Sequence, residues 1–154
     1  MSEVSKLSSS LEDYLETIYA IVKKKGAARP KDIADSRSVA ASSVTTALKH
    51  LKKLGLVNHE PYDLVTLTPK GRKIALKVTE KHEVLKNFFL SVLEIDPDTA
   101  DECACSMEHA IPQHVLERFT QYLEFVKKCD DSGRRWSEEE GFICQCIHKQ
   151  NDNS

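Results

Sequence analysis

The stretch PKDIADSRSVAASSVTTALKHLKKLGLVNHEPYDLVTL, residues 30–67, decides the fold. It contains a short helical segment, a polar turn at residues 36–38 and an amphipathic segment from about Ala41 to Leu54, which Gly55 is expected to end. Two β-type runs, residues 56–59 and 64–67, then flank a proline turn and predict a hairpin. This order predicts a winged helix-turn-helix, in which the helix after the turn enters the DNA major groove.

The polar face of the helix after the turn carries small hydroxyl residues and lysines. Hydroxyl residues let a helix approach DNA closely, and lysines neutralise phosphate charge. The face contains no Arg, Asn or Gln, so we expect shape and water-mediated contacts to contribute more than bidentate base recognition. A solvated helix face is the alternative for these residues, and an ordinary exposed loop is the alternative for the hairpin tip. The candidate DNA contacts are Ser42, Ser43, Thr45, Thr46, Lys49, Lys52 and Tyr62.

Helical patterns surround this stretch on both sides. An amphipathic helix is predicted from Leu11, with Ser10 as its cap, and a long helix is predicted after the N-cap Thr68. Two more helices are predicted, one from near Asp98 to about Ile111 and one after Pro112. The fold class is therefore mainly α: a winged helix-turn-helix domain at residues 1–75, then an all-helical domain with a C-terminal tail at residues 76–154.

Length and charge limit the partners. A chain of 154 residues fills one compact core or two small ones, which excludes a large multidomain enzyme. Residues 1–80 carry 14 Lys+Arg and 9 Asp+Glu, whereas residues 81–154 carry 8 and 15. A basic half suits a polyanion, although uneven surface charge is the plain alternative. With no secretory signal and no apolar run long enough to cross a bilayer, we expect a soluble, cytoplasmic protein without a membrane partner.

Two groups of side chains have metal-ligand chemistry. Asp13 and Glu16 share one face of the first helix, and two solvated carboxylates are the alternative there. Cys105, Glu108 and His109 have the spacing i, i+3, i+4, which brings thiolate, carboxylate and imidazole to one helix face. The alternative for these residues is a buried thiol beside a solvent-facing pair.

Several motifs in order resemble a known family: LEDYLETIYAI, DIADSRSVAASSVTTALKHLKKLGLV, LVTLTPKGRKIA, KHEVLKNFF and CACSMEHAI. They are similar to the metal-dependent repressors of the diphtheria-toxin-repressor type, particularly the shorter manganese-transport-regulator branch. The resemblance covers about residues 8–126 and implies an amino-terminal winged helix that binds DNA and a helical domain that dimerises and binds metal. It places the metal ligands at Asp13, Glu16, His82, Cys105, Glu108 and His109.

The resemblance leaves the metal open between Fe(II) and Mn(II), with Co(II), Ni(II) or Zn(II) as substitutes. Asp13 matches the manganese branch, whereas Cys105 matches the iron branch. Lys86 stands where the family often has a carboxylate near a second ion, which argues against a binuclear centre unless Asp101 and Glu102 compensate. The carboxy-terminal segment has two possible roles. It could form a second metal or redox site, or it could be an ordinary amphipathic tail. The residues of the possible second site are Cys129, Cys144, Cys146 and His148.

The function expected from these observations is a homodimeric, metal-activated repressor that binds a palindromic operator in double-stranded DNA and controls metal-uptake genes. The dimer is expected to form through apolar residues of the helical domain, namely Phe88, Phe89, Leu93, Phe119 and Tyr122. One alternative is a metal-independent winged-helix regulator that responds to thiol oxidation. A remote alternative is a small metal hydrolase with Glu16 or Glu108 as base, although no phosphate loop or nucleophile motif supports an enzyme.

Overall fold

The computed structural model describes residues 7–60, 64–128, 135–139 and 141–143. The chain divides into two compact units, Met1–Glu80 and Lys81–Ser154, whereas the sequence analysis placed the boundary after residue 75. The described residues form these elements: α1 (Ser9–Lys25), α2 (Pro30–Arg37), α3 (Ala41–Lys53), β1 (Val57–Glu60), β2 (Leu64–Leu67), α4 (Pro69–Ser91), α5 (Pro97–Met107), α6 (Gln113–Lys128), β3 (Arg135–Ser137) and β4 (Gly141–Ile143).

The first unit is a winged helix-turn-helix. Helices α1, α2 and α3 bury the apolar stripes of their sequences, including the fully buried Leu15, Ile33 and Leu48. Strands β1 and β2 pair antiparallel from Val57 opposite Leu67 to Glu60 opposite Leu64. The loop before α2 joins the edge of β2 through hydrogen bonds at 2.9 and 2.8 Å. The predicted helix order and hairpin are therefore confirmed.

Helix boundaries in this unit follow local backbone chemistry. Gly55 has a φ of 67°, and its left-handed backbone lies just past the end of α3, as the sequence predicted. At α1, however, the predicted cap was wrong: Ser8 occupies the N-cap position, and its side chain accepts a hydrogen bond from the Leu11 amide. The helix begins before the first residue of its apolar stripe, so Ser10 lies inside its first turn.

The start of α4 lies against the segment that follows α3. The Thr68 hydroxyl accepts a hydrogen bond from the Gly71 amide at 3.0 Å and donates one to the Gly55 carbonyl at 2.8 Å. Thr68 therefore caps the helix, as predicted, and also fixes its direction. Gly71 is buried so closely against Leu56 that a Cβ atom would lie 1.9 Å from the Leu56 carbonyl oxygen.

The second unit has its own small core of Leu85, Ala104 and Leu116. Asp96 caps α5 by accepting a hydrogen bond from the Thr99 amide at 3.0 Å; this bond lowers the pKa of the Asp96 carboxyl. The helix ends at Met107, before the predicted end at about Ile111. Pro112 disfavours helical conformation at Ile111, but it does not explain why the helix ends as early as Met107.

A second strand pair lies beyond α6 and was not predicted from the sequence. Strands β3 and β4 pair antiparallel, with Trp136 opposite Phe142. Strands of 3 residues each are too short to show a clear alternating pattern. Within the described ranges, no helix combines the length and the apolar character needed to span a bilayer.

Candidate metal centre and nucleic-acid interface

A buried carboxylate lies between two imidazoles in the second unit. Glu108 follows α5, and its side chain Oε2 is 2.8 Å from Nδ1 of His82, which α4 carries. Nε2 of His109 lies 3.3 Å from the other carboxylate oxygen, Oε1. Glu108 is only 1% exposed. The structure thus brings together three of the residues that the family resemblance implied as ligands.

One oxygen of this carboxylate receives no hydrogen bond from any residue that the structure describes. Glu108 Oε1 is buried, and within the described residues it has no hydrogen-bond partner, because its contact with His109 does not meet hydrogen-bond geometry. A buried charged oxygen is costly unless it is paired or coordinates a metal ion. A divalent cation would satisfy this oxygen, so the donor set fits a metal ion.

The second ring nitrogen of His82 also faces a carboxylate. Its Nε2 lies 3.2 Å from Oδ1 of Asp101. Carboxylates only accept hydrogen bonds when ionised, so His82 donates to both Glu108 and Asp101 only when both ring nitrogens carry protons. A metal-bound imidazole must instead be neutral. Metal binding at His82 therefore requires a neutral ring, and one of its two carboxylate contacts must give way to the ion.

Asp101 also pairs with a lysine. The Lys86 ammonium donates a hydrogen bond to Asp101 Oδ1, which lowers the pKa of the Asp101 carboxyl and raises the pKa of Lys86. The sequence analysis considered Asp101 only as compensation for Lys86 and missed its contact with His82. A signal existed, because Asp101, Cys105 and Glu108 have the spacing i, i+4, i+7 of one helix face.

A lysine beside His82 holds the segment after α5. Nζ of Lys81 donates hydrogen bonds to the carbonyl oxygens of Glu108 and Ile111, each at 3.3 Å. These bonds fix the turn that carries Glu108 and His109. Sequence reasoning gave no reason to single out Lys81, since its partners are backbone atoms.

Helix α1 carries the two remaining carboxylates of the predicted set. Asp13 and Glu16 are both half-buried, so they are not plainly solvated side chains. Oδ2 of Asp13 forms an ion pair with Nη2 of Arg37 at 3.1 Å. The sequence analysis did not identify Arg37, which lies at the end of α2 and is brought to Asp13 by the packing of the first unit.

The cysteines of α5 differ in exposure. Cys105 is exposed and Cys103 is half-buried, and neither forms a disulfide. Glu108 keeps helical backbone angles at the C-cap of α5, with φ −57° and ψ −32°, so its spacing from Cys105 is helical as predicted. His109 lies past the helix end, so the prediction that all three residues share a helix face was wrong for His109. Cys129, Cys144, Cys146 and His148 lie outside the described residues.

Helix α3 presents a polar face to solvent. Its apolar stripe of Val44, Ala47, Leu48 and Leu51 is buried. The hydroxyls of Thr45 and Thr46 donate to backbone carbonyls one turn earlier, and Nζ of Lys52 donates to the His59 carbonyl of β1 at 3.3 Å. Tyr62 lies outside the described residues. The other six predicted DNA contacts are all exposed: Ser42, Ser43, Thr45, Thr46, Lys49 and Lys52.

Comparison with known proteins identifies the family. Two protein-family models match the chain. The family model for the iron dependent repressor, N-terminal DNA binding domain, matches residues 6–65. The family model for the iron dependent repressor, metal binding and dimerisation domain, matches residues 68–137. The chain belongs to the DtxR/MntR family of metal-dependent transcriptional repressors. DtxR/MntR proteins are transcriptional regulators and not enzymes, so the metal hydrolase alternative is excluded.

Individual relatives agree with this assignment. An uncharacterised HTH-type transcriptional regulator of Methanocaldococcus jannaschii is 41% identical over 79% of this chain and 98% of its own length. The HTH-type transcriptional regulator MntR of Bacillus pumilus is 34% identical over 79% of this chain and 84% of its own. The crystal structure of T. acidophilum IdeR superposes with a TM-score of 0.68 at 27% identity, covering 80% of this chain and 56% of that one. The chain thus spans little more than half the length of that solved structure.

Proposed function

We propose that this member of the DtxR/MntR family is a homodimeric repressor that binds operator DNA when Fe(II) or Mn(II) occupies its metal site, and that it controls metal-uptake genes. The observation that carries the proposal is the buried Glu108 carboxylate between His82 and His109, with one oxygen that lacks a hydrogen bond within the described residues. Such a repressor acts where the chromosome lies, so we propose a cytoplasmic location.

The proposed ligands come from α1, α4 and the region of α5. Carboxylate oxygens and imidazole nitrogens suit Mn(II) and Fe(II), whereas the Cys105 thiolate favours Fe(II), Co(II), Ni(II) or Zn(II). When bound, the ion supplies positive charge that compensates the carboxylates. Glu108 supplies buried negative charge, and His82 supplies one ring nitrogen once it is neutral. The full set is Asp13, Glu16, His82, Cys105, Glu108 and His109.

We propose one ion per subunit at this centre. Lys86 places its ammonium against Asp101, and a second divalent cation beside this ammonium would meet like-charge repulsion. Asp101 already has two partners, Lys86 and His82. Asp101 is therefore engaged with these two side chains and does not compensate for Lys86 at a second ion site.

The proposed DNA surface is the exposed face of α3 together with the hairpin tip at Tyr62. Lys49 and Lys52 neutralise phosphates, while Thr45 and Thr46 face base edges. A two-fold dimer presents two copies of α3, so we propose a palindromic operator. We assign DNA binding to residues 1–75 and dimerisation and metal binding to residues 76–154.

An aromatic face on α4 and α6 is the proposed dimer surface. The Phe88 and Phe119 rings meet edge to face, with centroids 4.6 Å apart. Tyr122 and Phe125 extend this face, and they are 45% and 56% exposed. A second copy of the chain would cover these rings, and the face lies within the segment that matches the family's dimerisation model. Phe125 lies off the apolar stripe of α6, so the sequence analysis missed it.

Metal and DNA binding are coupled in this proposal. A ligand set drawn from α1 and from the helical domain lets the ion restrict the movement of the DNA-binding part. Restriction of that movement would favour one spacing of the two α3 helices on the operator. The coupling is reciprocal, so DNA must raise metal affinity by the same factor by which metal raises DNA affinity.

The test is an anaerobic DNA-binding titration on the DNA upstream of the protein's own gene, with Mn(II), Fe(II), Co(II) and Zn(II) supplied separately. Glu108→Gln should weaken metal activation at least about 100-fold because it removes a ligand charge. Glu117→Gln, at an exposed position of α6, is the matched control and should respond as the parent does. Metal activation would be contradicted if the protein bound DNA equally tightly in two samples, one with added metal and one with reductant and a chelator in place of the metal.

A further inference from the structure

Arg37 reaches from the end of α2 back to α1 and contacts three side chains there. Its Nη2 pairs with Asp13 Oδ2 at 3.1 Å, and its Nη1 donates to the Thr17 hydroxyl at 3.5 Å. Its guanidinium carbon lies 4.6 Å from the centre of the Tyr14 ring, a cation–π arrangement. These contacts hold a positive charge directly against a proposed metal ligand.

The position of Arg37 in the fold connects this contact to the helix-turn-helix. Arg37 is the last residue of α2. Ser38 follows with a left-handed φ of 53°, and α3 begins at Ala41. The side chain that holds Asp13 therefore comes from the residue directly before the turn that leads into α3.

The ion pair is partly shielded from water. The side chains of Arg37 and Asp13 are each 23% exposed, so solvent screens their attraction less than it screens an exposed pair. A metal ion that binds Asp13 must share or replace the charge that the guanidinium now compensates. Two cations close to one carboxylate also repel each other.

We propose that Arg37 is a positioning residue that holds Asp13 in the metal-free protein, competes with the ion for this carboxylate and thereby raises the metal concentration at which the repressor responds. The inference rests on the proposed function, because it takes Asp13 as a metal ligand. It predicts that loss of Arg37 strengthens metal binding, whereas damage to a purely structural contact would weaken it.

The test is isothermal titration of the DNA-free protein with Mn(II) in the absence of oxygen. Arg37→Met should raise the Mn(II) affinity about three- to tenfold, the range expected when a partly buried ion pair is removed. Lys25→Met is the matched control, because it removes one positive charge and the Lys25–Asp32 ion pair at 2.9 Å in the same unit. That control should change the affinity less than about twofold.

Further variants separate charge from shape. Arg37→Gln lacks the charge but keeps hydrogen-bond donors, and it should raise the affinity as Arg37→Met does. Arg37→Lys keeps a positive charge near Asp13 and should raise the affinity less than Arg37→Met does. In the Asp13→Asn background, Arg37→Met should leave metal affinity unchanged, because the competed charge is gone. Thermal melts establish that each variant is folded.

Two results distinguish the inference from the proposed function. If the parent binds Mn(II), Asp13→Asn weakens binding, and neither Arg37→Met nor Arg37→Gln strengthens it, the inference is overturned and the proposed function stands. If neither Mn(II) nor Fe(II) binds the parent, both are overturned.

Discussion

Gly71→Ala should destabilise the protein, even though alanine normally stabilises a helix relative to glycine. Gly71 lies in the first turn of α4, where an added Cβ would be 1.9 Å from the Leu56 carbonyl oxygen and 2.8 Å from its carbonyl carbon. Cβ contacts below 3.0 Å essentially do not occur, so the two backbone segments must separate by about 1.1 Å. Neither neighbour is a flexible side-chain end that could move away cheaply.

The expected magnitude follows from the bonds at this contact. The Leu56 carbonyl accepts the Thr68 amide at 3.1 Å, and the Gly55 carbonyl accepts the Thr68 hydroxyl at 2.8 Å. Disturbing each hydrogen bond costs about 1 kcal/mol, and overpacking costs about 1–3 kcal/mol. The higher helix propensity of alanine relative to glycine offsets about 1 kcal/mol of this loss in stability. We therefore expect a net loss of about 2–4 kcal/mol and a fall in Tm of about 4–16 °C.

Thermal and urea unfolding followed by circular dichroism measure this loss. Chelator should be present and the protein concentration fixed, because metal and dimerisation both shift apparent stability. Lys73→Gly and Lys73→Ala form the matched pair of controls, since residue 73 is exposed in the same helix. The Lys73→Ala protein should be more stable than the Lys73→Gly protein by about 1 kcal/mol. The reasoning is refuted if Gly71→Ala is as stable as the parent while the residue 73 pair behaves as stated.

Four further predictions concern DNA, metal, assembly and pH. Lys49→Ala should weaken DNA binding for all sequences and reduce the salt slope by about one unit; an unchanged slope would place the DNA surface elsewhere. Cys105→Glu should shift activation toward Mn(II) and weaken Zn(II) binding, whereas Cys103→Ser should not; identical metal rankings would remove the thiolate from the site. Phe125→Asp should make the protein monomeric in sedimentation at micromolar concentration, and a persistent dimer would exclude the aromatic face. The hydrogen bond from the Thr99 amide lowers the pKa of the Asp96 carboxyl, so Asp96→Ala should be less stable than the parent near pH 7. The difference in unfolding free energy between the two proteins should shrink as the pH falls below the ordinary Asp value of 3.8. A difference that does not change with pH would contradict this.

Much of the fold of the first unit was present in its sequence. The apolar stripes of α1 and α3, the stop at Gly55 and the cap at Thr68 are local features, in which side-chain spacing or backbone conformation decides the structure. The β-type runs on either side of the proline turn predicted the β1–β2 hairpin for the same reason. The β3–β4 pair escaped prediction because its strands carry too few residues for a pattern.

For the candidate site, the sequence and the family resemblance supplied residue types and spacing, while the tertiary structure decided their surroundings. Burial of Glu108 to 1% exposure and its position between two imidazoles depend on how α4 and α5 pack. The Arg37–Asp13 contact joins residues 24 positions apart. Spacing along one helix fixes which side chains share a face, because the helix repeat is set by the backbone itself. Contacts between helices depend on packing of the whole core, which no local pattern encodes.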